Sequence, residues 1–415
     1  MRWSLAAVLV VLAWTHAPAA AQANEYGLSA VHAHADQTAV AVALRLHAGS
    51  QDDEDGREGT AWLLGRVLEA QAARALADLH SGAAVTVSVE RATTLVTVLA
   101  FPEDWRNAWA AVDSVLFAAD VDPVVTAGQR AALSDHLAFE AGSPVRDFET
   151  EAYGLLADPG SPFARPLRGT RATVANIGPD DLVRYREAHF RRALATQAVV
   201  GPLPPDTAAV LMPPDSAPPP ASAAPLDSVV THAAGLAWVT GDRRTQMQDV
   251  TSTWMAVAYP VPSDMPRTRL ELIAHLLGEE LDPTPPDPDR YSVGVRIEET
   301  PRGPVLVVEA AVFPEATARW EGRITNALRR LADEPVEEGF FRWRRRRFRT
   351  ARLLEEAHPA AEAARMTADL LRDGAVRDLG LEIWGLDAAA VRETARALGE
   401  PRIFILGPDL GGSAS

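Results

Sequence analysis

Apolar residues alternate with other residues near the start of the chain and then change to a helical period. Val40, Val42, Leu44 and Leu46 are spaced by two, which predicts a strand with one buried face. Beyond an acidic loop at 51–58, apolar residues recur at steps of three and four: Ala61, Leu64, Val67, Leu68, Ala72, Ala75, Leu76 and Leu79. This spacing predicts an amphipathic helix that begins near Gly59.

The same order of elements occurs twice along the chain. Each half has a strand, a helix, further strands, two or three helices and a closing strand that ends in glycine. Between the halves lies a segment with nine prolines and no apolar period, which is typical of a linker. We therefore predict half-domains at 24–201 and 231–410, related by internal duplication and joined by a Pro/Ala-rich linker at 202–230.

Strand pairing is predicted locally in both halves. In the first half, 84–89 and 94–101 have the pattern of a hairpin. In the second half, the alternating segment 291–295 is predicted to pair with 305–311. Both pairings favour antiparallel sheet.

The first residues have the pattern of an export signal. Residues 1–23 carry one early charge, an apolar run and a small-residue end, which predicts a cleavable signal peptide and an exported protein, periplasmic or extracellular. No later stretch approaches the length of a membrane span. The chain has no cysteine, which excludes disulfides and thiolate zinc sites, and its formal charge of -16 argues against nucleic acid and anionic membranes as partners.

Three positions near the start of the predicted helix project to the same side of it. Residues 62, 65 and 66 project from neighbouring turns, so two ligands and an acid-base residue placed there would converge on one metal ion. The chain has Trp62, Gly65 and Arg66 at these positions.

With its strand, its glycine-serine corner and its acidic loop, this segment resembles the start of the pitrilysin/insulinase-type metallopeptidases and the mitochondrial processing peptidases. In that family the segment continues as G-x-A-H-x-x-E-H, an inverted zinc motif. Matched residue by residue, Gly59 and Ala61 are retained, Trp62 and Arg66 replace the two histidines, and Gly65 replaces the glutamate base. The segment is identified as a degenerate form of the motif.

The resemblance extends over nearly the whole of the chain that follows the predicted signal. Residues 161–170 and 177–182 resemble the family pattern h-P-[YF]-g-x-P-x-x-G-T followed by I-x-x-x-D-L, and 331–340 resembles its entry into a long helix of the second half. The resemblance implies an α+β fold of two related half-domains, each a mainly antiparallel sheet with helices on one face.

The substituted residues cannot supply the family's metal chemistry. A catalytic zinc needs three protein ligands, usually His, Asp, Glu or Cys, and Trp62 and Gly65 offer none, while Arg66 is a fixed cation. The family's third ligand is a glutamate on a following helix. The corresponding region here has His136 beside Asp135, and one ligand does not make a site.

Several residues have two interpretations. Trp62 either fills the space of the missing ligands or offers an aromatic surface to substrate side chains. Gly65 costs the helix about 1 kcal/mol relative to alanine, which indicates a close approach by another element. The arginine-rich run 342–349 is interpreted as a solvated helix face that pairs with acids such as Glu338, or as a subunit contact, rather than as a nucleic-acid site.

The second half contains one candidate substrate-binding pair. Family members carry an arginine and a tyrosine there, and Tyr291 matches the tyrosine. The family arginine falls about seven residues earlier, where this chain has Thr284, so Arg290 would replace it only in a shifted register. The alternative is a tyrosine at a strand start with an exposed arginine beside it.

The resemblance implies a catalytically inactive homologue of a zinc metallopeptidase. We expect the non-zinc subunit of an exported two-chain peptidase, with no cofactor of its own. Its partner would be a zinc-bearing paralogous subunit, or a second copy in a homodimer, and its substrates would be peptides. The alternatives are an exported peptide- or protein-binding scaffold that acts alone and a hydrolase with a rewritten site.

Overall fold

The computed structural model describes residues 22–24, 27–156, 160–204, 242–246, 250–283, 285–300, 303–334 and 337–408. Of the predicted signal peptide only 22–23 are described, and of the predicted linker only 202–204; the rest of both segments lies outside the described residues, as does Thr284.

The first half contains a six-stranded sheet. Its strands are β1 (Gln22–Asn24), β2 (Gly27–Ala33), β3 (Val40–Leu46), β4 (Ala84–Val89), β5 (Thr94–Ala100) and β6 (Thr196–Gly201). They lie in the order β1-β2-β6-β3-β5-β4, with β2 and β6 parallel and all other neighbours antiparallel. The predicted β4–β5 hairpin is therefore present, and the predicted strand β3 lies inside the sheet.

Six helices belong to the described part of the first half. They are α1 (Thr60–Asp78), α2 (Trp105–Phe117), α3 (Pro123–Phe139), α4 (Pro144–Leu156), α5 (Arg171–Ala175) and α6 (Pro179–His189). Helices α1, α2, α3 and α6 bury their apolar sides against one face of the sheet, where they meet the alternating residues Val40, Val42, Leu44 and Leu46. This packing explains the period of two in β3 and the helical period in α1.

The second half has a five-stranded sheet and again six helices within the described residues. The strands are β7 (Arg243–Gln246), β8 (Thr253–Pro260), β9 (Arg290–Thr300), β10 (Gly303–Val312) and β11 (Arg402–Gly407). The helices are α7 (Arg267–Leu281), α8 (Thr317–Asp333), α9 (Glu338–Glu356), α10 (Pro359–Asp373), α11 (Leu379–Trp384) and α12 (Ala388–Ala397). The predicted pairing of 291–295 with 305–311 is present, with Val293 opposite Ala310 and Val295 opposite Val308.

The two sheets have the same topology. The second sheet has the order β7-β11-β8-β10-β9, which corresponds strand for strand to β2-β6-β3-β5-β4 of the first. In each sheet one pair is parallel, and it joins an early strand to the closing strand of that half, β2 to β6 in the first and β7 to β11 in the second. The predicted α+β fold of two related half-domains, mainly antiparallel and with their own helices on one face, is confirmed.

The halves exchange one helix each, so that the second face of each sheet is also covered. Helix α10 packs through Ala363, Met366 and Leu370 on the first sheet, where it contacts small residues such as Ala41 and Ala43. Helix α4 does the same on the second sheet; its contacts are made by Phe148, Ala152 and Leu156 against Ala256, Ala258, Val305, Val307, Phe404 and Leu406. Helix α4 thus lies between the halves, and this position brings its side chains to the candidate site.

Candidate functional site

The N-terminus of α1 is held by a buried carboxylate. Asp53 accepts hydrogen bonds from the backbone N–H groups of Gly59 (2.7 Å) and Ala61 (2.8 Å). Burial raises the pKa of Asp53 to about 7, whereas these two hydrogen bonds act in the opposite direction. Gly59 has φ 100°, and a Cβ on it would lie 2.7 Å from the carbonyl oxygen of Arg168. Glycine is therefore required where the 166–169 loop crosses the start of α1.

Trp62 lies between the first core and a cleft. Its half-buried side chain packs against the core of the first half and also lines the cleft. Two guanidinium groups lie near its ring, with the Cζ atoms of Arg66 and Arg168 at 5.5 Å and 5.9 Å from the ring centroid. The two interpretations of Trp62 from the sequence are therefore compatible, because one side of the indole packs and another lines the cleft.

Arg66 binds the neighbouring strand. Its Nη2 donates to the carbonyl oxygen of Val87 in β4, and its Nη1 pairs with Glu69 one turn later at 2.6 Å. Glu69 in turn accepts a hydrogen bond from the backbone N–H of Val87 at 3.1 Å. Arg66 and Glu69 thus attach α1 to β4 where the family motif has its second histidine.

Gly65 lies where β4 packs closely against α1. A Cβ on Gly65 would lie 2.5 Å from Cγ2 of Val89, a buried residue of β4. The close approach that the sequence indicated is therefore made by Val89. A glutamate side chain at position 65 would require the Val89 side chain to shift, so the position of the family's acid-base residue is occupied by packing.

The guanidinium of Arg168 lies beside His136 and Glu140, where a metal ion would need further ligands. Arg168 contacts Nε2 of His136 and donates to Oε1 of Glu140 at 3.1 Å, and His136 itself lies 3.1 Å from Glu140. Asp135 is exposed and does not join them. In the described part of the chain there is no group of three or more His, Cys, Asp or Glu residues with the arrangement of a metal site.

These residues do not fit a catalytic zinc, because the carboxylate of Glu140 is already neutralised by a guanidinium and the helix offers only Trp62 and Arg66. Sequence analysis missed Glu140. Its position one turn after His136 on the same helix face was the signal that could have identified it.

The cleft lies between the two halves and has a volume of about 340 Å³. Each of its walls comes from a different element. The lining residues are Trp62 of α1, Arg91 of the β4–β5 turn, Arg146, Glu149, Thr150 and Tyr153 of α4, Pro166, Leu167, Arg168 and Gly169 of the following loop, and Arg296 and Glu309 of β9 and β10. Its size is in the range of ligand sites, and its walls combine aromatic rings with charged groups.

Tyr153 is the centre of the polar network in the cleft. The Cζ atom of Arg91 lies 3.2 Å from its ring centroid and that of Arg296 lies 5.6 Å from it. Nη2 of Arg296 donates to Glu309 at 2.8 Å and contacts the Tyr153 hydroxyl at 3.3 Å. Burial raises the pKa of Tyr153 to about 12 and also raises the pKa values of Glu298 and Glu309. None of these residues was predicted from the sequence.

Tyr291 and Arg290 are neighbours at the start of β9, and neither is among the residues that line the cleft. The ring of Tyr291 lies against Phe313, with centroids 4.8 Å apart, and 55% of the side chain is exposed. Arg290 is mostly buried and pairs with Asp282. The structure therefore brings the two residues together but does not bring them to Trp62, and their role in substrate binding stays a prediction.

The arginine-rich run 342–349 lies within α9. Phe341 and Phe348 are buried, as their spacing of seven indicates, and the predicted pair of Arg342 with Glu338 is present at 3.7 Å. Trp343 is half exposed on the outer side of the helix. No helix in the described ranges combines the length and apolarity needed to cross a membrane.

Solved structures resemble this chain in fold. A protease from Helicobacter pylori matches with a TM-score of 0.75 at 11% identity, over 94% of this chain and 100% of that chain. A peptidase M16 inactive domain from Pseudomonas fluorescens matches with a TM-score of 0.73 at 14% identity, over 95% of this chain and 99% of that chain. The periplasmic protease PqqL from Escherichia coli matches with a TM-score of 0.70 at 13% identity, over 93% of this chain but 45% of that one. No family model and no curated protein sequence matches the chain.

Proposed function

We propose that this chain is an exported, non-catalytic subunit of a two-chain peptidase of the M16 type. In this role it contributes a wall of the chamber in which peptides bind, and a paralogous partner chain carries the zinc and the acid-base glutamate. The observation that carries the proposal is the motif region of α1, where Trp62, Gly65 and Arg66 stand in place of two histidines and a glutamate.

The contacts around α1 support the proposal that this chain has no zinc motif of its own and could not regain one by substitution of single residues. Val89 fills the space beside Gly65, and Arg66 is bound to β4. The guanidinium of Arg168 holds Glu140. Restoring the motif would thus require the removal of two cations from the site and a shift of the Val89 side chain. The likeness to an inactive M16 domain over 95% of this chain agrees with this interpretation.

The cleft supports a role in substrate binding. It opens between the two halves beside Trp62, and it offers aromatic faces together with hydrogen-bond donors. Such groups can hold a peptide in an extended form without any reaction taking place on this chain. Export rests on the predicted signal peptide at 1–23, and the likeness in fold to PqqL, a periplasmic protease, agrees with it.

Co-purification from the native source tests the proposal. The expected result is a complex with a second chain that carries an intact H-x-x-E-H motif, one zinc per complex, and peptidase activity that is lost when either chain is removed. Metal analysis of the separated chains then assigns the zinc to the partner. One zinc bound tightly to this chain alone would contradict the proposal, as would full activity of the partner alone.

A scaffold that binds peptides without an enzymatic partner is the second candidate, and the presence of the cleft within a single chain favours it. The neighbouring reading frame distinguishes the two candidates. A paralogue with the intact motif beside this gene supports the two-chain peptidase, whereas native material that purifies as a single species and binds peptides without cleaving them supports the scaffold.

A further inference from the structure

Four arginines line the cleft, and two of them are neutralised within the chain. Arg168 pairs with Glu140 at 3.1 Å, and Arg296 pairs with Glu309 at 2.8 Å. The other two, Arg91 and Arg146, form no ion pair with any carboxylate of the described residues. They differ in this respect from most of the arginines whose partners the structure shows.

Arg91 keeps its hydrogen-bonding edge free for a ligand. The face of its guanidinium lies on the Tyr153 ring, and its Nε donates to the carbonyl oxygen of Phe163 at 3.0 Å. The two Nη groups have no acceptor among the residues that the structure describes. A guanidinium stacked in this way presents its N–H groups in the ring-parallel plane, where a carboxylate can accept two of them at once.

Arg296 adds a second donor on the other half of the molecule. Its Nη2 is used by Glu309 and Tyr153, but Nη1 is buried and has no hydrogen-bond partner in the described part of the chain. A buried N–H of a charged group without an acceptor is costly, so an acceptor supplied by a ligand would remove that cost. Arg91 and Arg296 both line the cleft, and their Cζ atoms lie 3.2 Å and 5.6 Å from the centroid of the Tyr153 ring.

The charge of the cleft differs from that of the whole chain. Arg146 is bound only to backbone carbonyl groups, of Leu137 and Gly169, and so adds a second uncompensated cation. The cleft lining contains two carboxylates, Glu149, which is exposed, and Glu309, which pairs with Arg296, and Glu298 lies 3.9 Å from Nε of Arg296. Four guanidinium groups against two carboxylates in the lining, in a chain with a formal charge of -16, favour an anionic ligand over a cationic one.

We propose that the cleft selects acidic peptides, and that a glutamate or aspartate side chain of the peptide binds between Arg91 and Arg296 while Trp62 contacts the neighbouring apolar side chain. This inference rests on the proposed role of the cleft as a peptide-binding chamber, and it specifies the class of peptide. Peptides rich in lysine or arginine are excluded by the same groups.

Isothermal titration of the purified chain without any partner tests the inference. The probes are a ten-residue, N-acetylated and C-amidated peptide with three glutamates, the same peptide with three glutamines, and the same peptide with three lysines. Hydrogen bonds to charged groups predict that the glutamate peptide binds at least tenfold more tightly than the glutamine peptide, with affinity that falls as salt is raised. Equal affinities for these two peptides, or no binding of either, would overturn the inference.

Substitutions locate the site. Arg91→Gln and Arg296→Gln are each expected to weaken binding of the glutamate peptide about tenfold or more and to leave the glutamine peptide unchanged. Arg342→Gln is the matched control, because Arg342 is exposed on α9 and is not among the residues that line the cleft. Binding of the glutamate peptide that neither cleft substitution alters would refute the assigned site. Because the titration needs no partner, its failure is distinguishable from failure to find a zinc-bearing subunit.

Discussion

Replacement of Gly65 by alanine tests the contact that closes the position of the missing glutamate. Alanine in the interior of α1 gains about 1 kcal/mol over glycine from helix propensity. The added Cβ would lie 2.5 Å from Cγ2 of Val89, and overpacking of this kind costs about 1–3 kcal/mol. The net effect expected for Gly65→Ala is therefore a loss of about 1 kcal/mol in the stability of the first half.

The sign of this effect should reverse when Val89 is shortened. Val89→Ala by itself destabilises, because it removes buried methyl groups from the first core. It also removes the atom that the new Cβ would meet, and the next neighbour, Cγ1 of Val87, lies at an ordinary contact distance of 3.4 Å. In the Val89→Ala background, Gly65→Ala is therefore expected to stabilise by about 1 kcal/mol, which corresponds to a coupling of about 2 kcal/mol between the two sites.

Differential scanning calorimetry is the suitable assay because it resolves separate transitions in a chain with two halves. A change of 1 kcal/mol corresponds to about 2–4 °C in Tm for a unit of this size. Gly128→Ala is the matched control, since Gly128 lies in helix α3 of the same half and a Cβ there meets open space. Equal stabilisation by Gly65→Ala and Gly128→Ala in the wild-type background would refute the close contact and, with it, the packing reason for the lost glutamate.

Three further predictions concern the linker, the substrate-binding residues and pH. Limited proteolysis should cut first within 202–227 and leave two stable fragments, because a proline-rich segment without apolar period has little to bury, and first cuts inside either half would contradict the predicted boundaries. In a reconstituted two-chain complex, Tyr291→Phe should lower peptide cleavage about a hundredfold if the Tyr291 hydroxyl binds the substrate carbonyl. Tyr153→Phe keeps the aromatic ring under Arg91 and should have a smaller effect. Unchanged cleavage with Tyr291→Phe would remove Tyr291 from the site. The hydrogen bond between His32 and Glu362 raises the pKa of His32. The stabilisation that this pair gives the folded chain is therefore complete below the unfolded pKa of 6.5 and is lost as pH rises through the higher folded pKa. A His32→Gln variant whose Tm deficit does not shrink over that pH range would contradict this prediction.

The sequence by itself determined the features that depend on residue type and local spacing. The period of two in β3 and the helical period in α1 predicted both elements, because each element buries one side against the same core. The repeated order of elements predicted two related half-domains. The side chains of Trp62, Gly65 and Arg66 supply no atom that can ligate a metal in any fold.

The tertiary structure decided everything that depends on contacts between distant parts of the chain. Val89 is the neighbour of Gly65 only because β4 packs on α1, and local spacing carries no information about that register. Helices α4 and α10 each cover the sheet of the other half, and no local pattern indicates that exchange. For the same reason the cleft could not be foreseen: Tyr153 lies between Arg91 and Arg296 because α4 crosses to the second sheet, and no period within a single element encodes a contact between residues so far apart in the chain.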